Sequence, residues 1–171
     1  WLAFRCGSFK CIVLRYSGFM TSTAIRTAEK PLTDADYGRL AAFRHALRIF
    51  LSFSETAASR IGLTGQQYQA LLVVRATPAC RERTVSELAR QLLIKHHSAV
   101  GLVDRLVDQG YLVRKASHED ARKVELRLTA NGTRALGRLA DVHRHELAHA
   151  GPQLNTLLVQ IACAAEGGPE P

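Results

Sequence analysis

Lys95-His96-His97-Ser98 places an ammonium, two imidazoles and a hydroxyl on consecutive residues, and Arg105 follows two helical turns later. Groups of these types donate hydrogen bonds to phosphate oxygens and to the acceptor edges of bases, so the chemistry they suit is duplex recognition. A second cationic set, Arg114-Lys115 and Arg122-Lys123, brackets His118, Glu119 and Asp120. Catalytic spacing is missing: the chain has no G-x-S-x-G, HExxH, P-loop or dinucleotide fingerprint. We therefore expect a protein that is not an enzyme, needs no cofactor, and has double-stranded DNA as its first partner.

Two other chemistries were weighed. His145 and His149 stand at i, i+4 on one helix face, a spacing that can hold zinc, with His143 nearby. No cysteine completes that set and Glu146 is one position off its face, so no metal site is assigned. His96 and His97 are adjacent and on a helix diverge by about 100°, which ranks base or phosphate contact first, a solvated pair second and metal third. Cys6 and Cys11 lie in the first residues, which leaves Cys80 and Cys163. Arg75, Arg81 and Arg83 flank Cys80 and cations lower a thiol pKa, yet a structural or incidental cysteine is the preferred reading.

The elements that must position the cations are legible from their boundaries. Thr84-Val85-Ser86-Glu87 fits a capping box, and Val85, Leu88, Ala89 and Leu92 follow as one apolar helix face. After Leu93-Ile94-Lys95 the period restarts on Ala99, Leu102, Val103 and Leu106 and ends at Gly110, a residue suited to a left-handed cap. Two helices joined by a few residues form a helix-turn-helix. With that apolar set inward, His97, Ser98, Gly101, Asp104 and Arg105 face outward. Gly101 then sits where the helix would meet a groove, where it is expected to permit close approach, the alternative being neutral drift at an exposed site.

Past Gly110 the period becomes alternating. Val124, Leu126 and Leu128 share one strand face and Glu125 and Arg127 the other, with Tyr111 to Lys115 as the partner strand. Ala116 to Lys123 becomes a charged hairpin tip, the place of a wing. Upstream, Asp34 to Arg60 is a long helix with Leu40, Phe43, Leu47, Phe50 and Leu51 on its stripe, ended by Gly62. Thr64-Gly65-Gln66-Gln67 opens another helix through Tyr68, Leu71, Leu72 and Val74, which Thr77-Pro78 ends. Downstream, Thr129 caps a helix through Leu136, Leu139 and Val142 toward His149. We expect Gly151-Pro152 to break it, with Leu154, Leu157, Leu158 and Ile161 on a separate helix. The fold class expected is mainly α with a small antiparallel β-hairpin.

The segment resembles the DNA-binding lobe of the MarR family of bacterial transcriptional regulators. The residues that carry the resemblance are Ser86-Glu87-Leu88-Ala89, Leu102-Val103-Asp104-Arg105-Leu106, Gly110, Asp120-Ala121-Arg122, and Leu128-Thr129 followed by Gly132. It implies a wing whose Arg122 enters the minor groove while Asp120 orients it, and a resemblance running from Thr33 to about Glu166. Two stretches depart from the family's pattern, Lys95-His96-His97-Ser98 and Val100-Gly101, and operator preference is expected to reside there.

The resemblance further implies a winged helix-turn-helix at about 64–129 flanked by dimerisation helices at 34–61 and 130–165. It implies a homodimer, and we expect repression with release by a small organic effector such as an aromatic acid, with His45, Arg48 and Tyr68 as its polar liners. A homodimer would read a palindromic operator with half-sites about one helical turn apart. The family's peroxide-sensing branch uses a cysteine in the first long helix, and none lies between Thr33 and Gly62.

The whole chain supports a polyanion partner without specifying it. Its 171 residues, about one domain by length, carry a formal net charge of +8. Arg5, Lys10 and Arg15 fall in the first 19 residues, which hold no acid, so the rest carries +5. The only methionine is Met20, so residues 1–32 read as an N-terminal extension, partly non-native before Met20, and residues 167–171 as a tail. No run approaches the roughly 18 apolar residues of a membrane span, and a cytoplasmic location without membrane contact is expected. The alternative function is a winged-helix interaction or dimerisation module without specific DNA binding.

Overall fold

The computed structural model describes residues 31–78, 83–116 and 124–166. It divides into two compact units, Trp1–Tyr37 and Gly38–Pro171. In the first, the Thr33 hydroxyl accepts from the Asp36 amide at 3.3 Å and the Asp36 carboxylate accepts from the Thr33 amide at 2.8 Å. This reciprocal pair satisfies amides that a helix start leaves without intrahelical partners. Helix α1 (Asp34–Ser59) begins there.

After α1 come α2 (Gly65–Ala76), α3 (Val85–Leu92), α4 (His96–Asp108), β1 (Leu112–Ala116), β2 (Val124–Leu128) and α5 (Ala130–Glu166). This is a mainly helical fold with one antiparallel hairpin, as expected. The α2 capping box is complete: Thr64 Oγ1 accepts from the Gln67 amide at 3.1 Å and Gln67 Oε1 from the Thr64 amide at 2.9 Å. The box expected at α3 is only half made. Thr84 Oγ1 accepts from the Glu87 amide at 3.2 Å, but the Glu87 carboxylate accepts instead from Arg90, at 2.6 and 2.9 Å, and from Gln91 at 2.7 Å. A two-pronged guanidinium is the stronger donor. The hydrogen bond and charge of Glu87 in turn hold the Arg90 pKa above its ordinary value.

Three helices end in the same left-handed turn. At α1 the Leu63 amide reaches the Ala58 carbonyl, at α3 Ile94 reaches Ala89, and at α4 Tyr111 reaches Leu106. Glycine supplies the positive φ at Gly62 and Gly110, whereas Leu93, with φ 54°, supplies it in the helix-turn-helix itself. A side chain there costs strain that glycine avoids.

In the hairpin, Leu112 pairs with Leu128, Arg114 with Leu126 and Ala116 with Val124. Leu112 and Leu126 are fully buried, as the alternation requires, while Val124 at the outer end is half exposed. The Leu126 amide also donates to the Arg83 carbonyl at 2.8 Å, tying the segment before α3 to the hairpin. Leu71, Leu88, Leu102, Val103 and Leu106 complete the centre of the core, and Leu63, Tyr68, Leu136 and Leu139 extend it.

One boundary differs from the sequence expectation. Gly151-Pro152 does not break the last helix: α5 runs 37 residues with Pro152 inside it. A proline removes one backbone hydrogen bond while the turns on either side keep theirs. Gly151 takes no positive φ, and Leu154 and Leu157 continue as half-buried positions of the same helix.

Candidate nucleic-acid interface

Helix α4 sorts its residues by face. Ala99, Leu102, Val103 and Leu106 are buried, while Lys95, His96, His97, Ser98 and Arg105 are exposed and Gly101 and Asp104 are half-buried. Lys95 occupies the N-cap and makes no side-chain cap bond, so the first amides of α4 gain no side-chain acceptor from it. A helix start with free amides and a positive dipole end favours an anion. Ser86 on α3 lies 3.5 Å from His96 Nδ1, which links the starts of the two helices. An added Cβ at Gly101 would meet only Arg105 Nη1, at 3.7 Å. Nothing inside the fold therefore demands glycine at that position.

The hairpin divides its cations. Arg114 shares the Leu126 face and donates to the Asp104 carboxylate of α4 at 2.6 Å, with the two side chains 36% and 49% exposed. Lys115 is exposed and pairs in register with Glu125 on the other face. Asp120, Arg122 and Lys123, together with His118 and Glu119, lie outside the described residues, as does Cys80. Sequence reasoning named Arg114 and Asp104 separately. Their pairing was missed because strand twist and register decide which cation turns back toward α4.

The three residues named as effector liners are not brought together. His45 and Arg48 are exposed on α1, and His45 lines an open groove of about 180 Å³ between α1 and α5 from which Arg48 is absent. Tyr68 is buried, 4% exposed, and burial pushes its phenol pKa above the ordinary value. Its ring stacks on His143 at 4.3 Å, which no local pattern announced.

His143, weighed above with His145 and His149 for metal, is 5% exposed and fully engaged. Nδ1 lies 2.6 Å from the Leu139 carbonyl and Nε2 2.8 Å from the Ser54 hydroxyl. A carbonyl accepts only, so Nδ1 carries a proton, and in the neutral ring Ser54 donates to Nε2. Phe50 and Phe53 close in edge-on at 6.0 and 5.7 Å between ring centroids. His145 and His149 stay exposed, with centroids 4.8 Å apart. Among the described residues no group of three His, Cys, Asp or Glu could hold a metal ion. No helix among them is long and apolar enough to cross a membrane.

Comparison with known proteins agrees with this geometry. The MarR family model matches residues 61–123, which contain α2, α3, α4 and β1. A Thauera aromatica protein named as a transcriptional regulatory protein for the hcr operon is 31% identical over 102 residues, 60% of this chain. The match spans only 55% of that relative's length. CouR from Rhodococcus jostii RHA1, solved bound to p-coumaroyl-CoA, superposes with TM-score 0.62 at 17% identity, covering 78% of this chain and 96% of CouR. An S. aureus MepR variant bound to an oligodeoxyribonucleotide superposes with TM-score 0.56 at 15% identity, covering 78% and 99%. At such identities these likenesses concern the fold. The family model thus matches the segment 61–123, and the winged helix-turn-helix built on it is similar to that of the MarR family.

Proposed function

We propose that this protein is a transcriptional regulator that binds a palindromic operator as a homodimer and represses until a small organic ligand releases it. The outward face of α4 carries this reading: Lys95, His96, His97, Ser98 and Arg105 are all exposed on one element whose opposite face is the core. Lys95 and the free amides of the helix start suit phosphate, and the imidazoles and hydroxyl suit acceptor edges in a major groove. Gly101 lets the helix lie close. Lys115 and, by resemblance, Asp120, Arg122 and Lys123 of the wing act on the adjacent minor groove and backbone, while Arg114 reaches DNA only beside Asp104. The oligonucleotide bound by MepR and the acyl thioester bound by CouR support DNA and an organic effector as the two partners.

Selection of bound sites from random duplexes at two salt concentrations tests this reading. An inverted repeat whose affinity falls as salt rises is expected, because each phosphate contact releases counterions. Binding without sequence preference would replace it with the interaction-module alternative. Arg122→Ala should weaken binding strongly, and Asp120→Ala should do so less.

A further inference from the structure

Leu93 bears two costs that the fold does not return. Its backbone holds a left-handed φ of 54°, where the corresponding turns after α1 and α4 place Gly62 and Gly110, and a side chain in that conformation is strained. Its side chain is also 84% exposed, against 59% for Tyr37, the next most exposed large apolar residue among those described. A lone exposed leucine means little by itself. One that is strained as well is different, because backbone strain persists where the residue serves a function. The turn itself is held firmly: Leu92 and Ile94 pack against the core on either side, and the Leu93 and Ile94 amides reach the Arg90 and Ala89 carbonyls at 3.4 and 3.0 Å. Leu93 is thus kept outside the core at the entrance to α4.

In a helix-turn-helix the first helix crosses the DNA backbone and the second enters the major groove. The turn between α3 and α4 then runs along the strand that borders the groove. Leu93 belongs to neither α1 nor α5, the helices expected to pair two copies. No acid occurs from Leu88 to Val103, and Lys95, exposed and without a side-chain cap bond, stands two residues on. Resting on the DNA binding set out above, we propose that Leu93 packs against the deoxyribose of that bordering strand, an apolar contact beside the phosphate contact of Lys95. It adds affinity without reading a base, since every nucleotide of a duplex offers the same sugar.

Fluorescence anisotropy of the full chain on the selected inverted repeat and on a mixed-sequence duplex, over a series of salt concentrations, reads this contact. Leu93→Asn tolerates the left-handed backbone and removes the apolar surface. Leu93→Gly removes it and also loosens the turn, whereas Leu93→Met keeps it. Leu93→Asn and Leu93→Gly are expected to bind both duplexes about tenfold more weakly, the order that partial burial of one leucine supplies. Their salt slope should be unchanged because no phosphate contact is lost, whereas Lys95→Ala should lower it by about one. Leu93→Met should bind like the unaltered chain. Full affinity in Leu93→Asn, an equal loss in Leu93→Met, weakening on the inverted repeat alone, or a changed slope in Leu93→Asn overturns the proposal. The unaltered chain separates this contact from the regulatory reading. If it binds the inverted repeat and Leu93→Asn binds as well, the contact alone falls. If it binds only the mixed-sequence duplex and Leu93→Asn is weaker there, the contact holds and specific regulation falls. Binding of neither duplex overturns both.

Discussion

Gln67 Nε2 donates to Gln109 Oε1 at 2.9 Å, joining the first turn of α2 to the residue that caps the end of α4. The same Gln67 closes the α2 capping box through its Oε1. Two residues before Gln67, the Gly65 amide donates to the Glu55 carboxylate of α1 at 2.7 Å. The start of α2 is thus held to the long helix on one side and to the candidate reading helix on the other.

Gln109→Ala removes this link while leaving the capping box intact. Because Gln67 is buried, leaving its Nε2 without an acceptor should cost about 1–3 kcal/mol, whereas operator affinity should fall severalfold as α4 loses its tether. Thermal melting and fluorescence anisotropy on the selected operator measure the two. Unchanged affinity would show that α4 is placed by its apolar face alone.

Leu93 is 84% exposed and holds a left-handed φ that glycine fills at the corresponding turns of α1 and α4. Leu93→Gly should stabilise the protein by about 1 kcal/mol through relief of that strain, read as a higher urea midpoint with unchanged slope. A lower midpoint would mean that the Leu93 side chain makes a contact the strain estimate ignores.

Two glycines of α5 should respond in opposite directions. A Cβ at Gly132 would run into the Tyr111 carbonyl, whereas one at Gly137 would meet nothing within 4 Å. Gly132→Ala should therefore cost about 1–3 kcal/mol as an overpacked contact. Gly137→Ala should add about 0.5–1 kcal/mol by restricting the unfolded chain in an open helical position. Denaturant melts of the two variants side by side decide it, and loss of stability in both would refute the assigned contact.

His143→Phe keeps a ring against Tyr68 and strands the buried Ser54 hydroxyl, which should cost about 1–3 kcal/mol. Adding Ser54→Ala should recover part of that loss, since both ends of the bond are then apolar. Non-additivity in the double-mutant cycle is the signature to seek. Strictly additive losses would mean that the Ser54 bond contributes nothing of its own.

Asp104→Asn frees Arg114 and removes a carboxylate from the α4 face proposed to meet DNA. As a half-exposed pair it is worth at most about 1 kcal/mol to stability, so the fold should barely respond. Affinity for any duplex should rise, and the salt dependence should steepen by about one counterion. Salt titrations with operator and random DNA test this; a weaker complex would instead make Asp104 a direct base contact.

The sequence by itself determined the helix-turn-helix, the hairpin and the outward set on α4, because caps and apolar periodicity are local and each names its own face. Thr64 and Gln67 or Leu126 and Leu128 needed no partner elsewhere to be interpreted. It also carried the motif Leu128-Thr129 with Gly132, whose reason emerged only when Gly132 was found pressed against Tyr111. Continuity of α5 across Pro152 was misjudged, since a proline's local cost says nothing of the turns that continue around it. Only the tertiary structure decided the pairing of Arg114 with Asp104, the seat of His143 between Ser54 and Tyr68, and the meeting of His45 with Glu146 across one groove. Residues 54 and 143 are 89 positions apart, and contacts at that range follow from how packed helices and paired strands aim their side chains, which no window of sequence encodes.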